Sequence, residues 1–354
     1  MKILCAISGG VDSAVMAALL QQEGNEIIGV HLKFWSENFQ AQNSSKQPEN
    51  KCCSLEASEA ARTVAEKLKI PFYVLNFRED FKQKVVDYFL KTYAQNKTPN
   101  PCAICNREIK FGKLLQKMKE LDCEKLATGH YTRIRGGKLL RGIDETKDQS
   151  YFLSRLTSEK LKNVLFPLGE MQKDKVKKLA QKFGFVEIEN KKESQGTCFF
   201  AEKDPHDFLV RNLPKKILRS GNIRILDGEI IGKHDGLPLY TIGQRRGVKL
   251  GGMDEPFYVA GFDLKKNELI VCKDKKLFTK KLKAKNLSWL GEIPKNGEKL
   301  LAQIRYRNEA AAAKIFFKKT FSEVEFEKPQ RAITPGQIVA FYHGKTCLGS
   351  GEIC

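Results

Sequence analysis

The sequence predicts an α/β N-terminal domain with a Rossmann-like parallel sheet, then a small, mostly β central domain, then a C-terminal β-barrel. Three observations carry this reading. Strand-length apolar runs alternate with stretches of helical spacing through the first part of the chain, as in a parallel sheet covered on both faces. After "ESQGTCFFAEKDPHDFL" the character changes, and "NIRILDGEIIGKHDG" reads as a hairpin around Asp227-Gly228. Beyond it, alternating glycine-bounded runs dominate, the mark of a small barrel. The boundaries fall at 1–205, 206–275 and 276–354.

Taken in order, "KILCAI", "EIIGVHL", "PFYVLNF" and "EKLATGHY" are the strands of the first domain. Helices between them are marked by Val11, Val15 and Leu19, by Ala57, Ala61, Val64 and Leu68, and by Val85, Phe89 and Tyr93. The polar stretch from Ser36 to Lys51 interrupts the pattern and reads as a surface loop. Later strands are "PFYVAGFD", "NELIVC", "KLLAQIRYR", "AKIFF", "EVEFE" and "QIVAFYHG". In "KLLAQIRYR", alternation puts Leu300, Ala302, Ile304 and Tyr306 on one face. Leu301, Gln303, Arg305 and Arg307 form the other, basic and solvated.

Composition narrows the function. A chain of 354 residues, 41% hydrophobic, has ample material for packed cores. Lys and Arg total 62 against 42 acidic residues, a net charge of +20. That excess favours a polyanionic partner, most often nucleic acid. No apolar run approaches a membrane span, and "MKILCAISGG" is interrupted too soon for a secretory signal. A cytoplasmic protein without membrane association is expected. Its ten cysteines then read as reduced thiols rather than a disulfide framework.

The stretch "CAISGGVDSAVMAALL" is a strand, a tight glycine turn and an amphipathic helix. Gly9 and Gly10 let the backbone turn sharply and approach a ligand. The N–H groups from Ser8 to Ser13 and the helix dipole make an anion site; a plain structural turn with Ser and Asp caps is the alternative. The loop lacks the Gly-Lys-Ser/Thr ending of a Walker A motif. "TPNPCAICNREIKF" sets Cys102 and Cys105 in a proline-broken turn before a helix marked by Ile109, Leu114 and Met118. A zinc site needs about four ligands, and no second cysteine pair matches this one; Cys52 and Cys53 are adjacent, which is poor chelating geometry. Cys105 is expected in the helix's first turn, where backbone N–H groups lower a thiol pKa.

"SGGVDS" closely resembles the signature of the pyrophosphate-loop ATPases, whose domains are of the adenine nucleotide alpha hydrolase kind. "TPNPCAICNREIKF", "HLKFW", "ATGHY", "KDQSYFL", "GTCF", "YTIGQRRG" and "TPGQ" resemble the tRNA 2-thiouridylases. The resemblance runs from residue 6 to residue 337. It implies an ATP-dependent sulfur-transferring enzyme that adenylates O2 of the wobble uridine and places sulfur on C2. Cys105 would be the nucleophile and Cys198 the persulfide carrier, joined transiently as a Cys105–Cys198 disulfide; the family often has aspartate at the position of Cys102.

By the same resemblance Ala6, Ile7, Ser8, Gly9, Gly10, Val11, Asp12 and Ser13 hold ATP, with Leu32 and Gly129 in the nucleotide pocket. Asp12 either helps hold Mg²⁺ or caps the helix. Asn100, Pro101 and Cys102 lie beside the extruded base. His130 sits near the base or a phosphate, with a satisfied structural histidine as the alternative. Lys147, Asp148 and Gln149 lie at the RNA surface, and Arg305, Tyr306 and Gln337 contact RNA, although alternation sends Arg305 and Tyr306 to opposite faces unless the strand bulges or ends there. The implied partners are a tRNA with a wobble uridine and a persulfide donor protein, and a monomer is expected.

Overall fold

The computed structural model describes residues 1–37, 55–186, 196–200, 202, 204–248, 250 and 255–354. Most of the polar stretch after Ser36, and both Cys52 and Cys53, lie outside the described residues.

The first domain is built on β1 (Lys2–Ala6), β2 (Glu26–Lys33), β3 (Phe72–Asn76) and β4 (Lys125–Ala127). A hairpin of β5 (Thr132–Arg135) and β6 (Lys138–Arg141) follows, then β7 (Val164–Leu165). The sheet is ordered β3-β2-β1-β4-β7 and every pairing is parallel. Ile3, Leu4 and Cys5 are wholly buried, because parallel strands are covered on both faces. The chain leaves β1 toward β2 on one side and meets β4 on the other. That reversal opens a crevice at the strands' carboxyl ends, where α/β sheets bind ligands.

The helix Val11–Gln22 differs from the expected amphipathic one. Ser13 through Ala18 and Leu20 are all buried, since it is sandwiched between the sheet and the helix Lys173–Lys182. Leu55–Leu68 does bury one face, through Ala60, Ala61, Val64 and Ala65. Val85, Phe89 and Tyr93 are buried as their spacing predicts.

The central domain carries β8 (Gly221–Ile225), β9 (Ile230–His234), β10 (Phe257–Asp263) and β11 (Glu268–Lys273), ordered β10-β11-β8-β9. Asp227 takes φ 62° at the hairpin turn, the left-handed conformation that Asp tolerates. The barrel comprises β12 (Phe278–Trp289), β13 (Lys299–Gln303), β14 (Ala311–Phe317), β15 (Ser322–Arg331), β16 (Ile338–His343) and β17 (Thr346–Ile353). β12 pairs with both β15 and β17, which closes six strands; β6 adds to β17 from outside. The three-part architecture is the one expected.

Barrel and first domain are bolted together by buried polar contacts. The Tyr151 hydroxyl donates to the carbonyl of Ile338 at 3.0 Å. Arg141 donates to Gln303 Oε1 at 2.9 Å and lies over the Tyr342 ring. Among the described residues, no helix is long and apolar enough to cross a membrane.

Candidate active site

The glycine loop forms the floor of the crevice. Gly9 adopts φ 81°, and a Cβ there would sit 2.4 Å from the carbonyl oxygen of Ala57. Only glycine fits both demands. Ser13 Oγ accepts from the Ser8 N–H at 3.1 Å and donates to the Gly10 carbonyl at 2.8 Å. The loop is thus held from inside. Gly10 precedes the helix with no side-chain cap on the first turn, so donors there are left for an anion. Gly129, after β4, lies against the same helix start: a Cβ would be 3.1 Å from the Asp12 carbonyl carbon and 3.2 Å from the Ser13 nitrogen. Leu32, near the end of β2, is buried in the same core as Val30.

Asp12 meets two partners that sequence reasoning missed. Lys173 Nζ donates to Asp12 Oδ1 at 2.7 Å, and the Tyr131 hydroxyl donates to the same oxygen at 2.6 Å. Lys173 is buried, so this is a lysine whose charge is answered by a carboxylate in the crevice. One carboxylate already met by an ammonium does not make a dedicated Mg²⁺ site, and among the described residues no cluster of three or more His, Cys, Asp or Glu is placed to hold a metal. His31 was also missed. Its Nδ1–H donates to the Ile7 carbonyl at 3.0 Å, fixing the strand end that feeds the loop, and its Nε2 is buried with no partner among the described residues. Burial lowers its pKa.

The second part of the site is the helix that starts at Pro101. Asn100 is the N-cap, and its Oδ1 accepts from the Ala103 N–H at 3.1 Å. Proline at the first helical position needs no donor. Cys102 therefore occupies the first turn and is exposed, while Cys105 lies a turn further on and is buried. This corrects the expectation for Cys105: the cap falls at Asn100, so the free N–H groups lie beside Cys102. After Cys105 the helix loosens to i→i+5 turns over Asn106–Lys113, with Phe111 off helical geometry. Such widened turns are frequent at functional sites.

The segment before the helix is held by the barrel. Gln337 Nε2 donates to the carbonyls of Thr98 at 3.1 Å and Pro99 at 2.7 Å. The Thr98 N–H donates to the Pro335 carbonyl at 2.9 Å, and Thr98 Oγ1 meets Thr241 Oγ1 of the central domain at 2.9 Å. All three domains thus converge on the run that carries Asn100, Pro101 and Cys102.

Cys198 is half-buried, and it packs against the same apolar core that holds Cys105. The residues after it are anchored by rings: Phe199 lies edge-on to Phe89 at 5.1 Å, and Phe200 stacks on Phe208 at 5.1 Å. Arg211 then clamps the flanks, donating to Glu37 at 2.7 Å and Glu202 at 2.6 Å.

Other expected RNA positions fall differently. Asp148 departs from a surface role: it is buried and accepts from Gly142, Ser150 and Arg141. Its carboxylate organises a turn, with those donors offsetting the cost of its burial. Gln149 Oε1 accepts from the Tyr131 N–H, and Lys147 is half-buried. His130 is the structural alternative, buried between the rings of Phe111 and Phe166 with Nδ1 2.8 Å from Thr128 Oγ1. Burial drives its pKa well down, which keeps it neutral. β13 ends at Gln303, so alternation stops before Arg305 and Tyr306. Gln303, expected on the solvated face, is buried, and its amide donates to the carbonyls of both. Arg305 binds Ala332 and Thr334, beside the turn bearing Gln337, and the Tyr306 ring lies 4.4 Å from Phe152.

Relatives match this arrangement along almost its whole length. A tRNA-specific 2-thiouridylase MnmA of Symbiobacterium thermophilum is 44% identical over 99% of this chain and 92% of its own length. Proteins of that description from Geobacillus kaustophilus and Bacillus subtilis are 42% and 40% identical over 99% of this chain, and 95% and 94% of theirs. The chain belongs to the tRNA-specific 2-thiouridylase family. Its three parts match, in order, families described as the tRNA methyl transferase HUP domain over 1–202, the tRNA methyl transferase PRC-barrel domain over 206–273 and the aminomethyltransferase beta-barrel domain over 279–353. For a thiouridylase, the residues that sequence reading overlooked are supports: Lys173, Tyr131, His31 and Arg211. One lysine among the four of the polar run "MQKDKVKK" offered no signal; only the fold brings Lys173 to Asp12.

Proposed function

We propose that this chain is a tRNA-uridine 2-sulfurtransferase that uses ATP to thiolate the wobble uridine. One observation carries the reading: the kinship over 99% of the chain coincides with an intact, open glycine loop and two cysteines, Cys105 and Cys198, that pack on one core. In this reading residues 1–205 do the chemistry, 206–275 brace it, and 276–354 hold RNA. The loop Ala6–Ser13 holds the phosphates of ATP through its unclaimed N–H groups. Gly129 closes on it, and Leu32 faces the adenine. ATP would supply the adenylyl group that makes uridine O2 a leaving group, and Mg²⁺ would come with its phosphates and offset their charge.

The chain's own chemistry is at sulfur. Cys198 carries a persulfide received from a donor protein. By one route its outer sulfur attacks C2 and AMP leaves; Cys105 then attacks Cys198 Sγ, which frees 2-thiouridine and leaves a Cys105–Cys198 disulfide. By the other, Cys105 attacks first and releases hydrosulfide, which adds to C2, with the same disulfide formed. A thiol reductant reopens it. Either route needs the two Cα atoms within about 7 Å at that moment. The extruded base rests against Asn100, Pro101 and Cys102, with a single protomer wrapping one tRNA.

The test is thiolation by purified protein with ATP, tRNA and a persulfide donor, read by mass spectrometry of the uridine. Cys105→Ser and Cys198→Ser should show no detectable product yet bind ATP as the parent does. Cys102→Ser should keep substantial activity. Equal loss in all three would refute the assignment of roles.

A further inference from the structure

A cavity of about 410 Å³ lies between the Pro101 helix and the barrel, lined on one side by Lys84, Tyr88, Asn100 and Arg155 and on the other by Asn286 and Glu352. Its size is that of a small-molecule site. Asn100, Ile104, Arg107 and Glu108 reach it at i, i+4, i+7 and i+8, so they share one face of the helix. Cys102 and Cys105 fall on the other. The cavity is therefore distinct from the thiol side, with only the helix, about 10–12 Å across, between them.

Its charge is unbalanced. Arg107 Nε is met by Glu108 at 2.6 Å. Glu352 accepts from Asn286 Nδ2 at 3.1 Å. Arg155 is only 7% exposed, and its Nε is buried with no hydrogen-bond partner among the described residues. Its one hydrogen bond among the described residues runs from Nη2 to the Asn286 carbonyl at 3.2 Å. Asn286 takes φ 50° where the β12–β17 register shifts, an irregularity of the sort found beside binding sites. Burial and the neighbouring Arg107 work against the Arg155 charge, and Glu352, Tyr88 and Glu108 only partly offset them; a buried cation short of hydrogen-bond partners is costly without an anion.

We propose that this cavity receives a nucleotide unit of the RNA substrate flanking the reacting uridine, with its phosphate held by Arg155 and Lys84. The proposal rests on the tRNA reading above and adds to it a subsite on the far face of the Pro101 helix. A strand crossing the helix tip at Asn100 places one nucleotide on the thiol side and a neighbour in the cavity. Asn100 touches both, so the subsite and the extruded base are read together.

The probe is an anticodon stem-loop RNA with a wobble uridine, titrated against parent, Arg155→Gln and Lys84→Gln at several salt concentrations. Each variant should lose roughly tenfold in affinity at low salt, with a log–log salt slope shallower by about 0.7 for each phosphate no longer neutralised. ATP affinity should not move. Replacing single linkages by neutral methylphosphonates should weaken parent at one linkage beside the uridine, with no further weakening there for Arg155→Gln. Lys84 is exposed, so its variant carries the test should Arg155→Gln be unstable. Parental affinity and slope in both variants would overturn the proposal, as would Arg155-dependent binding of free UMP with RNA binding unaffected. A parent that neither binds nor thiolates the RNA defeats the tRNA reading itself; a parent that thiolates beside indifferent variants defeats the subsite alone.

Discussion

The glycine loop and the thiol side are built in opposite ways. The loop is closed by its own neighbours: Ser8, Gly10 and Ser13 bond to one another within a span of five residues. The Thr98–Cys102 run is held by groups 143 and 238 residues away in sequence, Thr241 and Gln337. A nucleotide site can thus form as soon as the first domain folds. The thiol side is complete only when central domain and barrel have docked. In the function proposed above, this division means that ATP binding does not by itself finish the site.

The harshest way to break that contrast is Gly9→Ala. A side chain at φ 81° is strained, and its Cβ would drive into the Ala57 carbonyl. Together these should cost at least about 2 kcal/mol in stability and lower ATP affinity by about thirtyfold or more, by displacing the N–H donors. Reactivity of the exposed Cys102 toward a thiol reagent should stay parental. Calorimetric ATP titration and denaturant melts would check it; unchanged ATP binding would show that the loop is not locally built.

Gln337→Ala probes the other side with a smaller effect. It removes two donations, to Thr98 and Pro99, each worth about 1 kcal/mol. Thiolation should drop roughly tenfold, with ATP affinity within about twofold. Gln337→Glu should do no better, because a carboxylate cannot donate to two carbonyls. If ATP affinity fell as far as turnover, the two regions would be one cooperative unit and the comparison would fail.

The same contrast explains what the sequence disclosed. "SGGVDS" is legible because its geometry is local: turn, glycine and cap lie within one window. The alternation of strands and helices is legible for the same reason. Cys105 was misplaced by one turn because the cap is set by Asn100, ahead of the proline that leads the helix. Asp148 was placed at the surface, and His130 was left between two readings, because burial is a property of the assembled fold. Phe111, Phe166 and Tyr131 come from separate elements, and no window of sequence contains them together. Lys173 is the sharpest case, a lysine in a polar run that the fold delivers to Asp12 across 161 residues.

Acid should separate the two regions most gently. His31, His130 and His234 all have lowered pKa values, in each case with burial as the leading cause. Unfolded histidine titrates near 6.5. The unfolded chain therefore takes up protons below that pH which the folded chain refuses, so the stability these residues contribute is present above about 6.5 and is lost as pH falls. Each such histidine imposes a slope of up to about 1.4 kcal/mol per pH unit. Depressed carboxylates such as Asp144 and Glu268 act only at lower pH, near the carboxylate range. His31 bears on the loop directly: protonation puts a charge, and an Nε2–H with no acceptor among the described residues, into a buried site, a cost that outweighs the stronger Nδ1–H bond to Ile7. The Thr98–Cys102 run is held by Gln337, Asn100, Thr98 and Thr241, none of which titrates. From pH 7.5 to 5.5, amide-exchange protection corrected for intrinsic rate should fall over residues 7–13 and hold steady over 102–105. Equal loss in both segments, or a flat melting temperature across that range, would mean that the loop owes its shape to something other than the buried imidazole beneath it.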